Sequence, residues 1–275
     1  MDFIRQKVAL LAALFFLCAA AAAAAEEYTI MLMGDSAVIT SYLSGADTIH
    51  YKLLEKLKKA KPDRDWKIVN AGKDGETIGP APKKIQKAFG VSCLFEMDND
   101  GRYEAVTENN PDVDMALIRY GGNDSKIYKP EVFKEKLKRL CAKLKQKYAG
   151  VKIVLESSMY VDFPRHAAPY YRENSRVKGF KQGSSRNDYT KPFYEAARQL
   201  AAEEKYPFID VYGRLESLTK KGNWDFRMRS DGTTKDASLD SGKDAKWFDN
   251  IHPSPNGCEA IAQVESENII SILYK

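Results

Sequence analysis

The sequence predicts an α/β protein in which helices cover both faces of a central parallel sheet. Short apolar runs typical of buried strands alternate with longer segments whose apolar residues recur at helical spacing. That alternation favours parallel strands joined by crossover helices. The chain has 275 residues, of which 44% are hydrophobic and 29% are charged, as in ordinary globular proteins. We predict one domain over residues 26–275.

Residues 1–25 are predicted to be a signal peptide. Arg5 and Lys7 precede an apolar run that ends in small residues, and this is the pattern of a cleavable secretory signal. We expect cleavage after Ala25, and a mature protein that is secreted or periplasmic with no stable membrane insertion. The alternative, an N-terminal membrane anchor, needs about 20 apolar residues and usually lacks a cleavable end. A lipid anchor on Cys18 is disfavoured by the bulky residues before it.

The remaining elements follow from periodicity, length and turn residues. Two long polar stretches, 161–190 and 213–247, interrupt the pattern and are predicted to be loops, and their length slightly favours a functional use. In chain order we predict a strand over 27–34, a helix within 46–60, strands over 65–72 and 113–120, a helix over 131–149, a strand over 151–158, a helix over 189–205, a strand over 207–212 and a helix over 256–273.

Four polar segments follow strands or precede the last helix. They are Gly-Asp-Ser at 34–36, "NAGKDGET" at 70–77, "GGND" at 121–124 and "DNIHP" at 249–253. Each alone is ordinary turn or helix-cap composition. Because ligands of parallel sheets gather at the carboxyl ends of the strands, the four segments together predict one functional site.

The residue types in these segments suit acyl transfer. Ser36 is the candidate nucleophile, His252 the base that takes its proton, and Asp249 the acid that orients the imidazole. The developing oxyanion needs hydrogen-bond donors, and we predict the Ser36 amide, the Gly72 amide and the Asn123 side chain. Gly72 would let its backbone approach the substrate without a Cβ in the way.

Four further residues near these segments are candidate substrate contacts: Asp35, Tyr120, Asp124 and Trp247. Flat aromatic rings beside the site would suit stacking on sugar rings, although packing of the loop bases explains them equally well. Arg119 is unusual within an apolar strand, and it either pairs with an acid or faces an edge. His252 alone combines an acid at short spacing with a strand-end context. His50 is interpreted as a packing or surface residue of the first helix, and His166 as a surface residue that could instead line the substrate site.

Other chemistries are disfavoured. No metal or cofactor is predicted, because no paired Cys or His spacing typical of zinc occurs. The formal charge of +5 is spread over the chain, so nucleic acid is not an expected partner. Cys93, Cys141 and Cys258 would allow one disulfide and one thiol, and the sequence does not choose a pair.

The four segments together resemble the sequence blocks of the SGNH (GDSL-type) hydrolases. The matching residues are Gly34–Ser36, Asn70–Thr77, Gly121–Asp124 and Asp249–Pro253, in the family's order and across nearly the whole mature chain. The resemblance implies a three-layer α/β/α, flavodoxin-like fold with a central parallel sheet of about five strands. It also implies metal-free ester hydrolysis by Ser36, His252 and Asp249, with Gly72 and Asn123 in the oxyanion hole. Ala37, Lys73 and Asp74 depart from the usual pattern without removing a catalytic atom.

We expect a secreted serine esterase that removes acyl groups, most simply acetyl, from carbohydrate or small esters. Polar and aromatic loops favour sugar over a long acyl chain, which would want a continuous apolar wall. A lipid or general esterase, a lysophospholipase and an O-acyltransferase using the same triad stay open. A polysaccharide-binding protein without catalysis is disfavoured, because Ser36, Asp249 and His252 are all present.

Overall fold

The fold is known from a computed structural model that describes residues 27–80, 101–160, 186–221, 228–229, 247–249 and 252–274. For the last two short strands the backbone alone is described. The predicted signal peptide, most of the loop predicted over 161–190 and His166 lie outside these ranges.

Strands and helices alternate through the described residues. In chain order they are β1 (Tyr28–Gly34), α1 (Ser36–Ile39), α2 (Ile49–Ala60), β2 (Trp66–Asn70), α3 (Arg102–Asn109), β3 (Met115–Arg119), α4 (Pro130–Lys147), β4 (Lys152–Glu156), α5 (Arg186–Glu204), β5 (Phe208–Ile209), α6 (Val211–Lys220), β6 (Met228–Arg229), β7 (Trp247–Asp249) and α7 (Pro255–Tyr274), with short 3-10 turns at Gly45–Asp47 and Asp124–Lys126.

Five strands form one parallel sheet in the order β2-β1-β3-β4-β5. The prediction of a three-layer α/β/α fold with about five parallel strands is confirmed. β1 is an inner strand between β2 and β3, with Gly34 opposite Arg119. The carboxyl end of β1 is therefore flanked by the loops that follow β2 and β3. β6 and β7 form a separate antiparallel pair.

Each central strand is buried on both faces, which explains its continuous apolar run. In β1, Ile30 and Leu32 belong to a core cluster shared with α2, α6 and α7, whereas Met31 and Met33 belong to a second cluster shared with α3, α4 and α5. Residues that alternate along a strand point to opposite faces of the sheet. The two clusters are the interfaces between the sheet and its two helical layers.

Several element predictions need correction. α3 was not predicted, and β6 lies inside the predicted loop 213–247. α6 begins at Val211, so the loop predicted from residue 213 is wrong up to Lys220, and the strand predicted over 207–212 shrinks to Phe208–Ile209. α5 begins at Arg186, within the stretch predicted as loop. Val211 and Leu215 are buried against the core, which favours a helix there despite the polar residues between them.

None of the helices in the described ranges combines the length and apolar character that a membrane crossing requires.

Candidate active site

Ser36 occupies the first position of α1, just after the inner strand β1. A Cβ at Gly34 would lie 2.4 Å from the Arg119 carbonyl oxygen, so only glycine fits beside the neighbouring strand. Asp35 caps the helix, because its Oδ1 accepts a hydrogen bond of 2.9 Å from the Ala37 amide. The sharp turn leaves Ser36 half-buried at the carboxyl end of the sheet.

His252 brings its imidazole to the Ser36 hydroxyl. Nε2 of His252 lies 2.7 Å from Oγ of Ser36, which is a hydrogen-bond distance, although the residues are 216 positions apart in sequence. Both side chains are half-buried and reach solvent. In the tautomer with a free lone pair on Nε2, the imidazole can accept the hydroxyl proton.

Tyr42 supports the imidazole from the loop after α1. Its ring centroid lies 5.0 Å from that of His252 at an interplanar angle of 52°. Its hydroxyl donates a hydrogen bond of 2.9 Å to the Pro253 carbonyl. Nothing local in the sequence marks Tyr42, because its contact joins segments 211 positions apart.

Asp249 is the last residue of β7, three positions before His252. Its backbone pairs with Met228 of β6, whereas its side chain lies outside what the structure describes. The role of Asp249 as the orienting acid therefore stays a prediction.

Asn123 brings the loop after β3 to the nucleophile turn. Its Nδ2 donates to the Glu76 carbonyl at 3.2 Å and to Oδ2 of Asp35 at 3.4 Å. Asn123 is half-buried, so its side-chain amide lies near the surface, next to Asp35, the residue before Ser36. The loops after β1, β2 and β3 thus converge on one place.

Two buried carboxyl groups hold these loops together. Glu76 accepts hydrogen bonds from Tyr120 Oη (2.8 Å) and from Arg102 Nε (3.1 Å). Asp124 accepts from the amides of Ile78 and Gly121 at 2.9 and 3.1 Å. Burial raises the pKa of each carboxyl group to about 7, although Arg102 opposes the shift at Glu76 and the amide donors oppose it at Asp124.

The comparison with known families agrees with this arrangement. The model of the GDSL-like lipase/acylhydrolase family matches residues 32–260, which include the nucleophile turn and His252. The chain belongs to this family. The resemblance drawn from the four sequence blocks is therefore confirmed, and membership supports an ester-hydrolysing enzyme.

Solved structures similar to this acylhydrolase share its fold at low sequence identity. A carbohydrate acetylesterase family member from Sinorhizobium meliloti is 14% identical with a TM-score of 0.58, and the match covers 90% of this chain and 99% of that one. An acetylxylan esterase from Geobacillus stearothermophilus, solved as a catalytic mutant, is 18% identical with a TM-score of 0.56 and coverage of 88% and 94%. A lipase/acylhydrolase from Enterococcus faecalis is 19% identical with a TM-score of 0.52 and coverage of 89% and 96%. No curated protein matches this chain.

Gly72 does not fit its predicted place in the oxyanion hole of this acylhydrolase. Its amide donates to Oδ1 of Asn70 at 3.2 Å, and the residue is buried. A Cβ there would lie 2.8 Å from the Ile39 backbone nitrogen, so glycine is required by close packing against α1. Gly75, the second glycine of the same block, is partly exposed with φ of 72°, and its amide has no acceptor among the described residues. The Asn-x-Gly-x-x-Gly block could have indicated either glycine.

Of the four candidate substrate contacts, three are buried side chains, and the fourth has no described side chain. Tyr120 is 2% exposed and Asp124 fully buried, so both hold the loops and neither can touch a substrate without rearrangement. Asp35 is also buried, as the cap of α1. The side chain of Trp247 lies outside the described part of the chain. Arg119 pairs with acids, which was one of the two sequence-based interpretations: it donates to Glu156 and to Glu265.

Two cysteines are free thiols on opposite sides of the sheet. Cys141 packs in the cluster with α4, and Cys258 packs in the cluster with α7. Burial raises the pKa of both thiols to about 12. Cys93 lies outside the described residues. Within those residues, no three His, Cys, Asp or Glu side chains gather as a metal site would require.

Proposed function

We propose that the protein is a serine esterase that hydrolyses O-acetyl esters of carbohydrates through an acyl-enzyme on Ser36. The observation that carries this proposal is the contact of 2.7 Å between His252 Nε2 and Ser36 Oγ at the carboxyl end of the sheet. A hydroxyl is a weak nucleophile until a base takes its proton, and this pair supplies both groups.

The reaction proceeds in two steps. Ser36 Oγ attacks the ester carbonyl while His252 takes its proton, and the tetrahedral intermediate collapses as His252 returns that proton to the departing alkoxide oxygen. Water then attacks the acyl-enzyme by the same path and releases the acid. Asp249 would stabilise the imidazolium from the end of β7.

The oxyanion is stabilised by donors from three loops. In the described residues the amides of Ser36 and Gly75 have no hydrogen-bond acceptor, and the Asn123 amide nitrogen lies beside Asp35. We infer that the Ser36 and Gly75 amides face the developing negative charge, with Gly75 in the place first assigned to Gly72. Asn123 would join them by turning the hydrogen of its 3.4 Å contact from Asp35 to the oxyanion.

Two observations favour an ester of a carbohydrate as the substrate: the similar solved structures and the residue types around the site. Two of the similar structures are esterases of carbohydrate or xylan, and the residues around the candidate site are polar and aromatic. The similar Enterococcus faecalis lipase/acylhydrolase keeps a lipid or general esterase as the second candidate. Transfer of the acyl group to a sugar hydroxyl would use the same steps with a different acceptor.

A substrate panel tests the proposal. The wild type should release acetate from acetylated xylan, pectin, peptidoglycan or sialic acid, and should cleave p-nitrophenyl acetate faster than p-nitrophenyl octanoate. Ser36→Ala should lose at least about 10³-fold in kcat. Retained activity in Ser36→Ala would remove Ser36 from its role, and a preference for octanoate would transfer the proposal to lipid esters.

We also propose that the enzyme is exported and cleaved after Ala25. The support is the basic, apolar and small-residue pattern of residues 1–25. Intact-mass analysis of protein recovered outside the cytoplasm should give a chain that begins at Glu26. A mass that includes residues 1–25 would contradict cleavage.

A further inference from the structure

The Asn70 side chain, at the end of β2, joins three separate segments. Its Nδ2 lies 3.2 Å from the Ile39 carbonyl oxygen and 3.1 Å from Nδ1 of His50, and its Oδ1 accepts from the Gly72 amide at 3.2 Å. Ile39 ends α1, and His50 lies in the first turn of α2. One amide group therefore links the nucleophile helix, the loop after β2 and the helix that follows α1.

The chemistry of the partners fixes the orientation of this amide. A carbonyl oxygen can only accept, so Nδ2 must face Ile39, and a backbone N–H can only donate, so Oδ1 must face Gly72. The second hydrogen on Nδ2 then points to Nδ1 of His50, which must carry a lone pair. His50 is thus neutral with its proton on Nε2. Burial lowers the pKa of His50, which favours the same neutral state.

The nucleophile helix depends on support of this kind. α1 has only four residues, and so short a helix has little stability of its own. Its first turn is capped by Asp35, whereas its last residue, Ile39, is held by Asn70. The same amide holds Gly72 where its backbone packs against Ile39, three residues before Gly75.

We propose that His50 and Asn70 are positioning residues that fix the Ser36 helix and the Gly75 turn relative to each other. The inference rests on the proposed esterase function, and it extends that function to a histidine that does not touch the reacting atoms. His50 acts through the lone pair of Nδ1, which orients the amide of Asn70. Neither residue takes part in proton transfer with the substrate.

Three replacements of His50, which differ in where they offer a hydrogen-bond acceptor to Asn70, test the proposal. Asn places its amide oxygen near the position of Nδ1, whereas Gln extends its amide toward the position of Nε2, and Leu offers no acceptor. With p-nitrophenyl acetate, His50→Leu and His50→Gln should lower kcat about tenfold with KM within about twofold. His50→Asn should stay within about threefold of the wild type. Wild-type kcat in His50→Leu, or equal losses in the Asn and Gln variants, would overturn the proposal.

Two further measurements separate the possible failures. Titration of the reactive serines with a fluorophosphonate counts the folded active sites, so that kcat is expressed per active site. If His50→Leu does not fold, His50→Gln takes its place in the comparison. Ser36→Ala measured in parallel tests the esterase function itself. Activity retained in Ser36→Ala would overturn the proposed nucleophile, whereas activity retained in His50→Leu alone would overturn only the positioning role.

The tautomer of His50 provides a readout that needs no enzymatic activity. The chain has only three histidines, and His50→Asn assigns the His50 resonances by their loss. Two-dimensional ¹H–¹⁵N correlation of the imidazoles near neutral pH should show an unprotonated Nδ1 and a protonated Nε2 for His50. A proton on Nδ1 of His50 would overturn the proposal.

Discussion

At the scale of single residues, the candidate base depends on Tyr42. The aromatic ring lies against the His252 imidazole, and the tyrosine hydroxyl is tied to the carbonyl of the next residue, Pro253. The ring therefore limits how far the imidazole can turn away from the Ser36 hydroxyl. A side chain that holds a base in place should affect kcat more than KM.

We expect Tyr42→Ala to lower kcat for p-nitrophenyl acetate about tenfold, because the imidazole loses its supporting wall. Tyr42→Phe keeps the ring and removes one hydrogen bond, so its kcat should fall by no more than about threefold. Tyr51→Ala, at an exposed tyrosine of α2, is the matched control and should resemble the wild type. Equal kcat values in Tyr42→Ala and the wild type would contradict this support.

At the residue scale, the sequence pointed to side chains whose chemistry has few alternatives. Ser36 and His252 were identified because a nucleophile and a base have few alternatives in this chain, and the structure brings them together. The sequence could not choose between Gly72 and Gly75 as the oxyanion donor, because both glycines of the block permit close approach. The structure separates the two glycines: the Gly72 amide donates to Asn70 and its backbone packs against Ile39, whereas Gly75 is partly exposed.

At the scale of secondary-structure elements, a buried ionic cluster attaches the last helix to the sheet. Arg119 at the end of β3 donates to Oε2 of Glu156 in β4 at 3.1 Å and pairs with Glu265 in α7. All three side chains are almost completely buried. α7 follows His252, and Arg119 lies beside Gly34 at the end of β1. The cluster therefore connects the helix after the candidate base to the strand that carries the candidate nucleophile.

We expect Arg119→Met to lower the free energy of unfolding by about 3–5 kcal/mol, because it leaves two buried carboxyl groups without their cation. Glu265→Gln should be milder, since the amide oxygen still accepts from Arg119 and Glu156 keeps its partner. Urea denaturation at pH 7 provides the comparison. Greater destabilisation by Glu265→Gln than by Arg119→Met would contradict this account of the cluster.

Sequence patterns predicted long elements better than short ones. The strong apolar stripe of α4 and the apolar run of β1 were predictable because many residues repeat one period. α3 has only eight residues and buries only Tyr103, Val106 and Thr107, too few to establish a period. α6 was missed because only Val211 and Leu215 are buried, too few to establish a period. Its start is fixed locally by the cap of Asp210 and across the fold by the hydrogen bond that Ser157, after β4, donates to Asp210.

At the scale of the whole molecule, the parallel sheet builds the site by topology. Because β1 is flanked by β2 and β3, the loops that follow these three strands must meet at one edge. Asp35, Glu76 and Asn123 come from those three loops and are joined by hydrogen bonds. This convergence was predictable from the order of strands and helices, whereas the buried carboxyl groups that secure it were not.

The buried carboxyl group of Glu76 should make the stability of the whole protein depend on pH. Burial raises the pKa of Glu76 from 4.5 to about 7, so the folded state binds this proton more tightly than the unfolded state. The resulting stabilisation is complete below about pH 4.5 and is lost as the pH rises through about 7, with a total of up to about 3 kcal/mol.

The variant Glu76→Gln tests this dependence, because Gln can still accept a hydrogen bond from Tyr120 and does not titrate. We therefore expect the free energy of unfolding of the wild type, minus that of Glu76→Gln, to decrease as the pH rises from 5 to 8 in a series of urea denaturations. An increase over that range would mean that Arg102 outweighs burial and keeps Glu76 charged in the folded protein.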